Sequence, residues 1–221
     1  MAILTWIHSC PIRNLLPPIA GNRGSQAVCF VLFAAVTLFS PLAIVWGSVF
    51  AQQESNSSST YKEYDVKAAY LYNFLLFVEW PSQSFEKPES PFVIGVLGKD
   101  PFNQKLDDIA ERKTARKRKI IIKRFKKWED LEPCHLLFVC QEEGKNWEKI
   151  SDKIKDWKVL TVGDYDNFAI LGGIVQFIRV EDTVRFVINE DAALLKDLEI
   201  SAKMLELAVR VIHQESQEGK K

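Results

Sequence analysis

The chain has 221 residues, of which 47% are hydrophobic and 26% are charged, and its 29 basic side chains balance its 29 acidic ones. A net charge near zero excludes the strong positive field on which nonspecific nucleic-acid binding depends. The 170 residues after position 51 have a normal length for one domain.

The N-terminal segment has the pattern of a secretory signal. Its only charges are Arg13 and Arg23, and a largely apolar stretch covers residues 27–46. The segment ends in Val49-Phe50-Ala51, which has residues that an export peptidase accepts at the two positions it reads. These three features predict export with cleavage after Ala51. The apolar stretch is also long enough for an uncleaved membrane anchor, although Pro41 interrupts it. Either alternative places the rest of the chain outside the cytoplasm, and we expect it in the periplasm.

A polar stretch, QQESNSSS, follows the predicted cleavage point. Its composition predicts a flexible linker over residues 52–61. We expect one domain over residues 62–213 and a disordered tail over residues 214–221.

The run KAAYLYNFLLFVEWP, residues 67–81, predicts a helix that is apolar on every side. Thr60 and Glu63 match a capping box, and the helix should extend to Glu79, shortly before a proline that ends it. The run is about half the length that a membrane span needs. We therefore expect a core helix packed between a sheet and a neighbouring element, with Asn73 as its only polar side chain in the apolar part.

Strand and helix patterns then alternate along the chain. Apolar runs predict strands over residues 91–97, 119–123, 135–140, 159–162, 174–180 and 184–188. Helical spacing predicts helices over residues 102–112, 145–156 and 191–213, and the last of these should bury Leu194, Leu198, Leu205, Ala208 and Ile212 on one face. The order predicts a three-layer α/β/α domain with a mainly parallel sheet and an antiparallel edge hairpin.

The two cysteines beyond the signal, Cys134 and Cys140, bracket one predicted strand. Six extended residues separate their Cα atoms by roughly 20 Å, which is too far for a disulfide. We expect two buried free thiols, and the alternative is an intermolecular bridge.

Several motifs in the same order resemble the YfiR family of bacterial periplasmic proteins. They are KAAYLYNF and FVEWP in the first helix, FVIGVLG from Phe92, CHLLF from Cys134, LTVGD from Leu160, Gly172-Gly173, VRFVIN from Val184 and ISAKML from Ile200. The resemblance implies a regulator that binds and restrains a membrane-bound diguanylate cyclase through the periplasmic part of that enzyme. It also implies disulfide-linked redox control, which the spacing of the two cysteines argues against here.

Four residues of the first helix are candidates for a partner-binding stripe. Tyr70, Asn73, Phe77 and Trp80 follow the steps i, i+3, i+7 and i+10, and aromatic residues are enriched at binding hot spots. The stripe would seat a second copy of the protein or the periplasmic part of the cyclase. The alternative is an ordinary core stripe, with Asn73 bonded to a neighbouring backbone group.

Two further candidates lie on the last predicted strand. Arg185 and Asn189 are four residues apart, so their side chains face the same way, towards either solvent or an anionic partner. Ten Lys or Arg occur in residues 112–127, but acidic residues flank them, which favours a solvated face. The alternative is a patch that contacts anionic envelope lipid or an acidic partner, and we expect no nucleic-acid binding.

No catalytic signature surrounds His135 or His213, and three histidines in all leave little for a zinc site. We therefore expect no enzymatic activity, no cofactor and no metal. Two function classes stay open: a protein-binding regulator whose partner is the periplasmic part of a membrane-bound cyclase or receptor, and a periplasmic small-ligand sensor without a cyclase partner.

Overall fold

The computed structural model describes residues 62–213. The predicted signal, the predicted linker, Thr60 of the capping box and the predicted tail lie outside these residues. No helix within this range combines the length and the apolar character that a membrane span requires.

The described chain contains nine strands and five α-helices. The strands are β1 (Val78–Glu79), β2 (Phe92–Leu97), β3 (Ile120–Phe125), β4 (Leu136–Val139), β5 (Leu160–Gly163), β6 (Val175–Val180), β7 (Thr183–Asn189), β8 (Glu199–Ile200) and β9 (Arg210–Ile212). The helices are α1 (62–77), α2 (Lys105–Arg112), α3 (Trp147–Lys153), α4 (Glu190–Leu194) and α5 (Ala202–Leu207).

Seven of the strands form one sheet in the order β3-β2-β4-β5-β6-β7-β9. All neighbours in it are parallel except β6 and β7, which form an antiparallel hairpin. The predicted α/β class, with a mainly parallel sheet and an antiparallel hairpin, is confirmed. One short strand, β9, lies beyond the hairpin and runs parallel to β7.

The helices cover both faces of this sheet. Leu71 and Phe74 of α1 and Leu106 of α2 belong to one hydrophobic core, whereas Trp147 and Ile150 of α3 belong to a second. Strands between two such layers are buried on both sides, which explains why β2 and β4 are almost uninterrupted apolar runs.

The two cysteines lie on opposite faces of the sheet. Cys140 belongs to the core beneath α1 and Cys134 to the core beneath α3, and both thiols are free and buried. Burial raises the pKa of the Cys134 thiol to about 12 and raises that of Cys140 further. Both thiols are therefore protonated. The strand itself covers only Leu136–Val139, so the two cysteines flank it rather than lie on it, which is why residues six apart face opposite sides.

The helix predicted over residues 191–213 is wrong. The chain forms α4, then β8, then α5, then β9. Asp197 adopts a left-handed φ of 54°, and the N–H groups of Asp197 and Leu198 donate to Leu194 O and Ala193 O. This is the Schellman arrangement that ends α4. Ser201 then begins α5 by accepting a hydrogen bond from the Met204 N–H.

The broken helix also changes which of its residues are buried. Leu198 is buried as predicted, but Leu194 is 58% exposed. Leu205, Ala208 and Ile212 are only partly buried. A single amphipathic face therefore does not exist in this segment.

The basic run over residues 112–127 is partly neutralised within the domain. Arg116 pairs with Glu79, Lys123 pairs with Glu132, and Arg124 pairs with Asp100 and Asp107. These contacts support the predicted solvated face.

His135 joins three segments at the start of β4. Its Nδ1 accepts a hydrogen bond from the Val93 N–H at 3.0 Å, and its Nε2 lies 3.1 Å from Ser84 O, to which it donates. The ring stacks on Phe85 at 4.6 Å between centroids. Only the neutral imidazole protonated at Nε2 satisfies both bonds, and burial lowers the pKa of His135.

The stability of the domain should therefore fall as the pH drops below about 6.5, the ordinary pKa of histidine. There the unfolded chain binds a proton that the folded chain resists, so the free energy of unfolding decreases until the pH passes the lower pKa of the folded state. Urea unfolding between about pH 7.5 and about pH 5, on either side of the ordinary histidine pKa, measures the decrease. His135→Asn should flatten the curve, because it removes the buried ring that resists protonation. If the His135→Asn variant showed the same pH dependence of unfolding as the natural protein, His135 would not be the group responsible.

Candidate functional site

An open groove with a volume of about 670 Å³ lies between α1 and the β6–β7 hairpin. Its lining combines apolar side chains with charged ones: Lys62, Glu63, Val66, Tyr70, Arg179, Asp182, Thr183, Val184 and Arg185. Two of the predicted site residues, Tyr70 and Arg185, therefore lie in one groove although they are far apart in the sequence.

Aromatic packing fixes the apolar side of the groove. The half-buried Tyr70 ring contacts Phe74, Phe177 and Phe186 at centroid distances of 5.4 to 6.0 Å. Its neighbour one turn back, Val66, is 44% exposed. The groove thus has a rigid aromatic wall and an exposed aliphatic side chain, a combination that suits an apolar anchor of a partner.

The charged side of the groove carries two arginines that differ in their ion pairing. Arg179 pairs with Asp182 at 3.0 Å and with Glu63 at 3.6 Å. Arg185 is exposed on β7, and no ion-pair partner for it occurs within residues 62–213. An exposed guanidinium of this kind is available to a carboxylate or phosphate.

A buried ionic cluster lies behind the groove. Lys67 Nζ lies 2.5 Å from Glu63 Oε1 and 3.2 Å from Asp164 Oδ2, and the Lys67 and Asp164 side chains are 7% and 4% exposed. The Tyr64 hydroxyl also donates to Asp164 Oδ2 at 2.7 Å. Burial and the neighbouring Asp164 carboxylate raise the pKa of Tyr64, so the phenol stays protonated.

The remaining predicted site residues do not join the groove. Asn73 and Phe77 are half-buried on α1, and the Lys203 ammonium lies over the Phe77 ring at 5.3 Å. Because Asn73 is not fully buried, its amide does not require the backbone partner that a buried amide would need.

Trp80 departs from the predicted stripe. The helix ends at residue 77, and Val78–Glu79 pairs as a strand with β8, so Trp80 does not continue the helical face. Trp80 is 9% exposed, and its Nε1–H donates to His135 O at 3.1 Å. It is a core residue.

Asn189 has a structural role at the junction of β7 and α4. Its Oδ1 accepts from the Ala192 N–H at 2.9 Å, and its Nδ2 donates to Ala169 O at 2.8 Å. We expected Asn189 and Arg185 to face the same contact surface. Arg185 lines the groove, but Asn189 does not.

Val66, Arg179, Lys67 and Asp164 are not among the residues predicted from sequence. A signal exists for Lys67, because Glu63 stands four residues before it and favours an ion pair on one helix face. Asp164 follows the end of a buried parallel strand, which is where α/β proteins place functional side chains.

A family model described as YfiR/HmsC-like matches residues 64–209, which include Val66 and Tyr70 of α1 and the whole β6–β7 hairpin. The chain belongs to this family. YfiR-like proteins are periplasmic regulators rather than enzymes, and they act with partner proteins. Within residues 62–213, no three His, Cys, Asp or Glu side chains are placed to hold a metal ion.

The comparison with curated proteins gave no match. Among solved structures, the chain is similar to the ABC domain in complex with L-Trp from Streptococcus pneumonia, with 12% identity and a TM-score of 0.44 over 55% of each chain. A similarity of this size carries no argument about function.

Proposed function

We propose that this YfiR-like protein is exported by a cleaved N-terminal signal and restrains a membrane-bound diguanylate cyclase by binding its periplasmic part. The observation that carries the proposal is the family match over residues 64–209. The charge pattern before Ala51 supports export.

The groove between α1 and the β6–β7 hairpin is the proposed docking surface. Its aromatic wall and the exposed Val66 suit an apolar anchor, and the exposed Arg185 suits a carboxylate. We therefore assign it a partner segment that carries an apolar side chain next to acidic residues. A homodimer formed through the same groove is the competing outcome.

The second candidate is a periplasmic small-ligand sensor without a cyclase partner. A crevice of about 230 Å³ at the carboxyl ends of the parallel strands favours it, because open α/β sheets bind ligands at this edge.

Reversing the charge of Arg185 tests the docking surface. Arg185→Glu combined with Val66→Glu should lower the capture of a membrane cyclase by the full-length chain at least tenfold, roughly the loss expected at a binding hot spot. Cross-linking and affinity capture from membranes, followed by measurement of cyclic di-GMP, report the binding and its consequence. Melting should change little, because both positions are exposed.

Arg112→Glu is the matched control, since Arg112 is an exposed arginine on α2 outside the groove. It should retain full capture. Equal capture by the groove variant and by this control would contradict the docking surface. Loss of self-association instead of cyclase capture would show that the groove seats a second copy.

A further inference from the structure

The segment between α2 and β3 carries a concentrated positive charge. Residues 112–119, RKTARKRK, contain six cations and no acid, and we call them the basic turn. Most ion pairs of the longer basic run lie beyond this turn, on β3, where Lys123 and Arg124 reach carboxylates. Within the basic turn, only Arg116 has a carboxylate partner among the described residues, and that partner is Glu79. Most of the charge of the turn is therefore not neutralised by the domain.

The backbone of the basic turn is strained at its centre. The N–H groups of Ala115 and Arg118 donate to each other's carbonyl oxygens at 3.0 and 2.8 Å. Between them, Arg116 and Lys117 have φ values of 47° and 66°. Two-residue turns of this left-handed kind normally use Asn and Gly, which adopt it more readily. Strained residues of this type are concentrated at functional sites, so the two basic side chains at the tip are candidates for a function.

Two arginines of the basic turn attach it to the rest of the domain. Arg116 donates to Leu76 O at 3.2 Å, at the end of α1. Arg118 donates to Ser90 O at 2.8 Å, in the segment before β2. Ala115, which lies beside them in the turn, is fully buried. These contacts hold the turn in one position, and they account for the two arginines but not for the other cations.

The four remaining cations of the basic turn face solvent. They are all exposed, and none has an ion-pair partner among residues 62–213: Arg112, Lys113, Lys117 and Lys119. None of them lines the groove or the crevice. A set of exposed cations that does not enclose a cavity suits an extended anionic surface better than a single small anion.

We propose that the basic turn binds the headgroups of anionic phospholipids at a membrane surface. Clusters of roughly four to eight Lys or Arg bind anionic lipid, because the negative surface potential attracts each cation. An acidic protein is the other extended anion that such a turn could meet. The lipid surface is favoured because the exposed side chains of the turn are all polar, whereas protein interfaces are built around apolar or aromatic anchors.

The lipid contact relies on the proposed export to bring the domain to an envelope membrane, but it does not rely on the docking of a cyclase. It uses no residue of the groove. Binding to vesicles is measured without a cyclase, so a negative result there leaves the docking surface untouched.

Co-sedimentation of the chain, purified as the cell exports it, with lipid vesicles tests the proposal. At about 0.05 M salt, binding to vesicles with about 30% phosphatidylglycerol should be roughly tenfold or more tighter than binding to pure phosphatidylcholine. Raising the salt to about 0.5 M should remove the difference, because salt screens the attraction. Equal binding to the two kinds of vesicle at low salt would overturn the proposal.

Neutralising three exposed lysines of the basic turn should weaken binding to the anionic vesicles by roughly tenfold or more. The variant combines Lys113→Gln, Lys117→Gln and Lys119→Gln. The matched control removes the same charge from exposed lysines outside the turn, by Lys126→Gln, Lys127→Gln and Lys145→Gln. It should retain most of the binding. Both variants keep the same N-terminal segment, so any contribution of that segment cancels. An equal loss in the two variants would show that net charge rather than the basic turn is responsible.

Amide chemical shifts of the unmutated protein give a readout that does not depend on the folding of a variant. Short-chain phosphatidylglycerol should shift the amides of Lys113, Lys117 and Lys119, whereas the amide of Lys149 on α3 should stay unchanged. Shifts confined to other parts of the domain would overturn the assignment. If the lysine variant lost capture of a membrane protein while the natural chain ignored anionic vesicles, the partner of the turn would be an acidic protein and the lipid proposal would be wrong.

Discussion

Gly173→Ala is expected to destabilise the domain by about 3 kcal/mol, the upper part of the usual range for overpacking a core. A Cβ atom at Gly173 would lie 2.3 Å from Cε1 of Phe168, and one at Gly163 would lie 2.7 Å from Cγ of the same ring. Phe168 is fully buried and contacts Trp147 at 4.6 Å between centroids, so its ring has no free space to enter. The Phe168 ring therefore leaves no room for a side chain at either Gly163 or Gly173.

Gly172→Ala is the matched control for this effect. Gly172 has a φ of +95°, but nothing lies within 4 Å of an added Cβ. Its substitution should cost only the backbone strain, about 1–2 kcal/mol. Urea unfolding of both variants at neutral pH measures the two free energies of unfolding.

The clash also predicts a coupling between the two side chains. In the Phe168→Leu background, Gly173→Ala should cost clearly less than in the natural sequence, since a smaller side chain leaves room for the methyl group. A cost that is independent of Phe168, or that equals the cost of Gly172→Ala, would show that the close approach is relieved by movement elsewhere.

Lys67→Met is expected to cost about 3–5 kcal/mol, the range for removing one partner of a buried ion pair. The methionine fills a similar volume but leaves the carboxylates of Glu63 and Asp164 without their shared ammonium. The loss therefore measures uncompensated buried charge rather than lost packing.

Lys105→Met is the matched control, because Lys105 forms an ion pair with Asp65 at 3.1 Å in which the two side chains are 41% and 52% exposed. An exposed pair of this kind contributes at most about 1 kcal/mol. Equal losses for the two Lys→Met variants in chemical denaturation would mean that water reaches the Lys67 cluster in solution.

The strands of this domain are predictable from sequence because they are short apolar runs between polar turns. The residues of β2 and β4 are buried on both faces, which gives the continuous hydrophobic runs that identify parallel strands. The C-terminal segment is not predictable in this way. Its leucines keep a helical spacing across two separate helices, and Asp197 occupies the left-handed position where glycine would have signalled a helix end.

The candidate site is predictable only in part. Tyr70 and Arg185 each stand out in their local sequence, but their meeting in one groove depends on the packing of α1 against the β6–β7 hairpin. Helical spacing misplaces Trp80 because the helix ends at residue 77, and a residue before proline prefers an extended backbone. The bond between Lys67 and Asp164 joins residues 97 positions apart, so no local pattern could reveal it.

The small ribbon of β1 and β8 has a consequence for how the chain folds. Val78 pairs with Ile200, and the Ser201 N–H donates to Phe77 O, so the end of α1 is held by residues roughly 120 positions later. A chain that emerges N-terminus first cannot secure its most apolar helix until nearly all of the domain has followed. Closing a loop of this length costs conformational entropy, so we expect the ribbon of β1 and β8 to form late in folding.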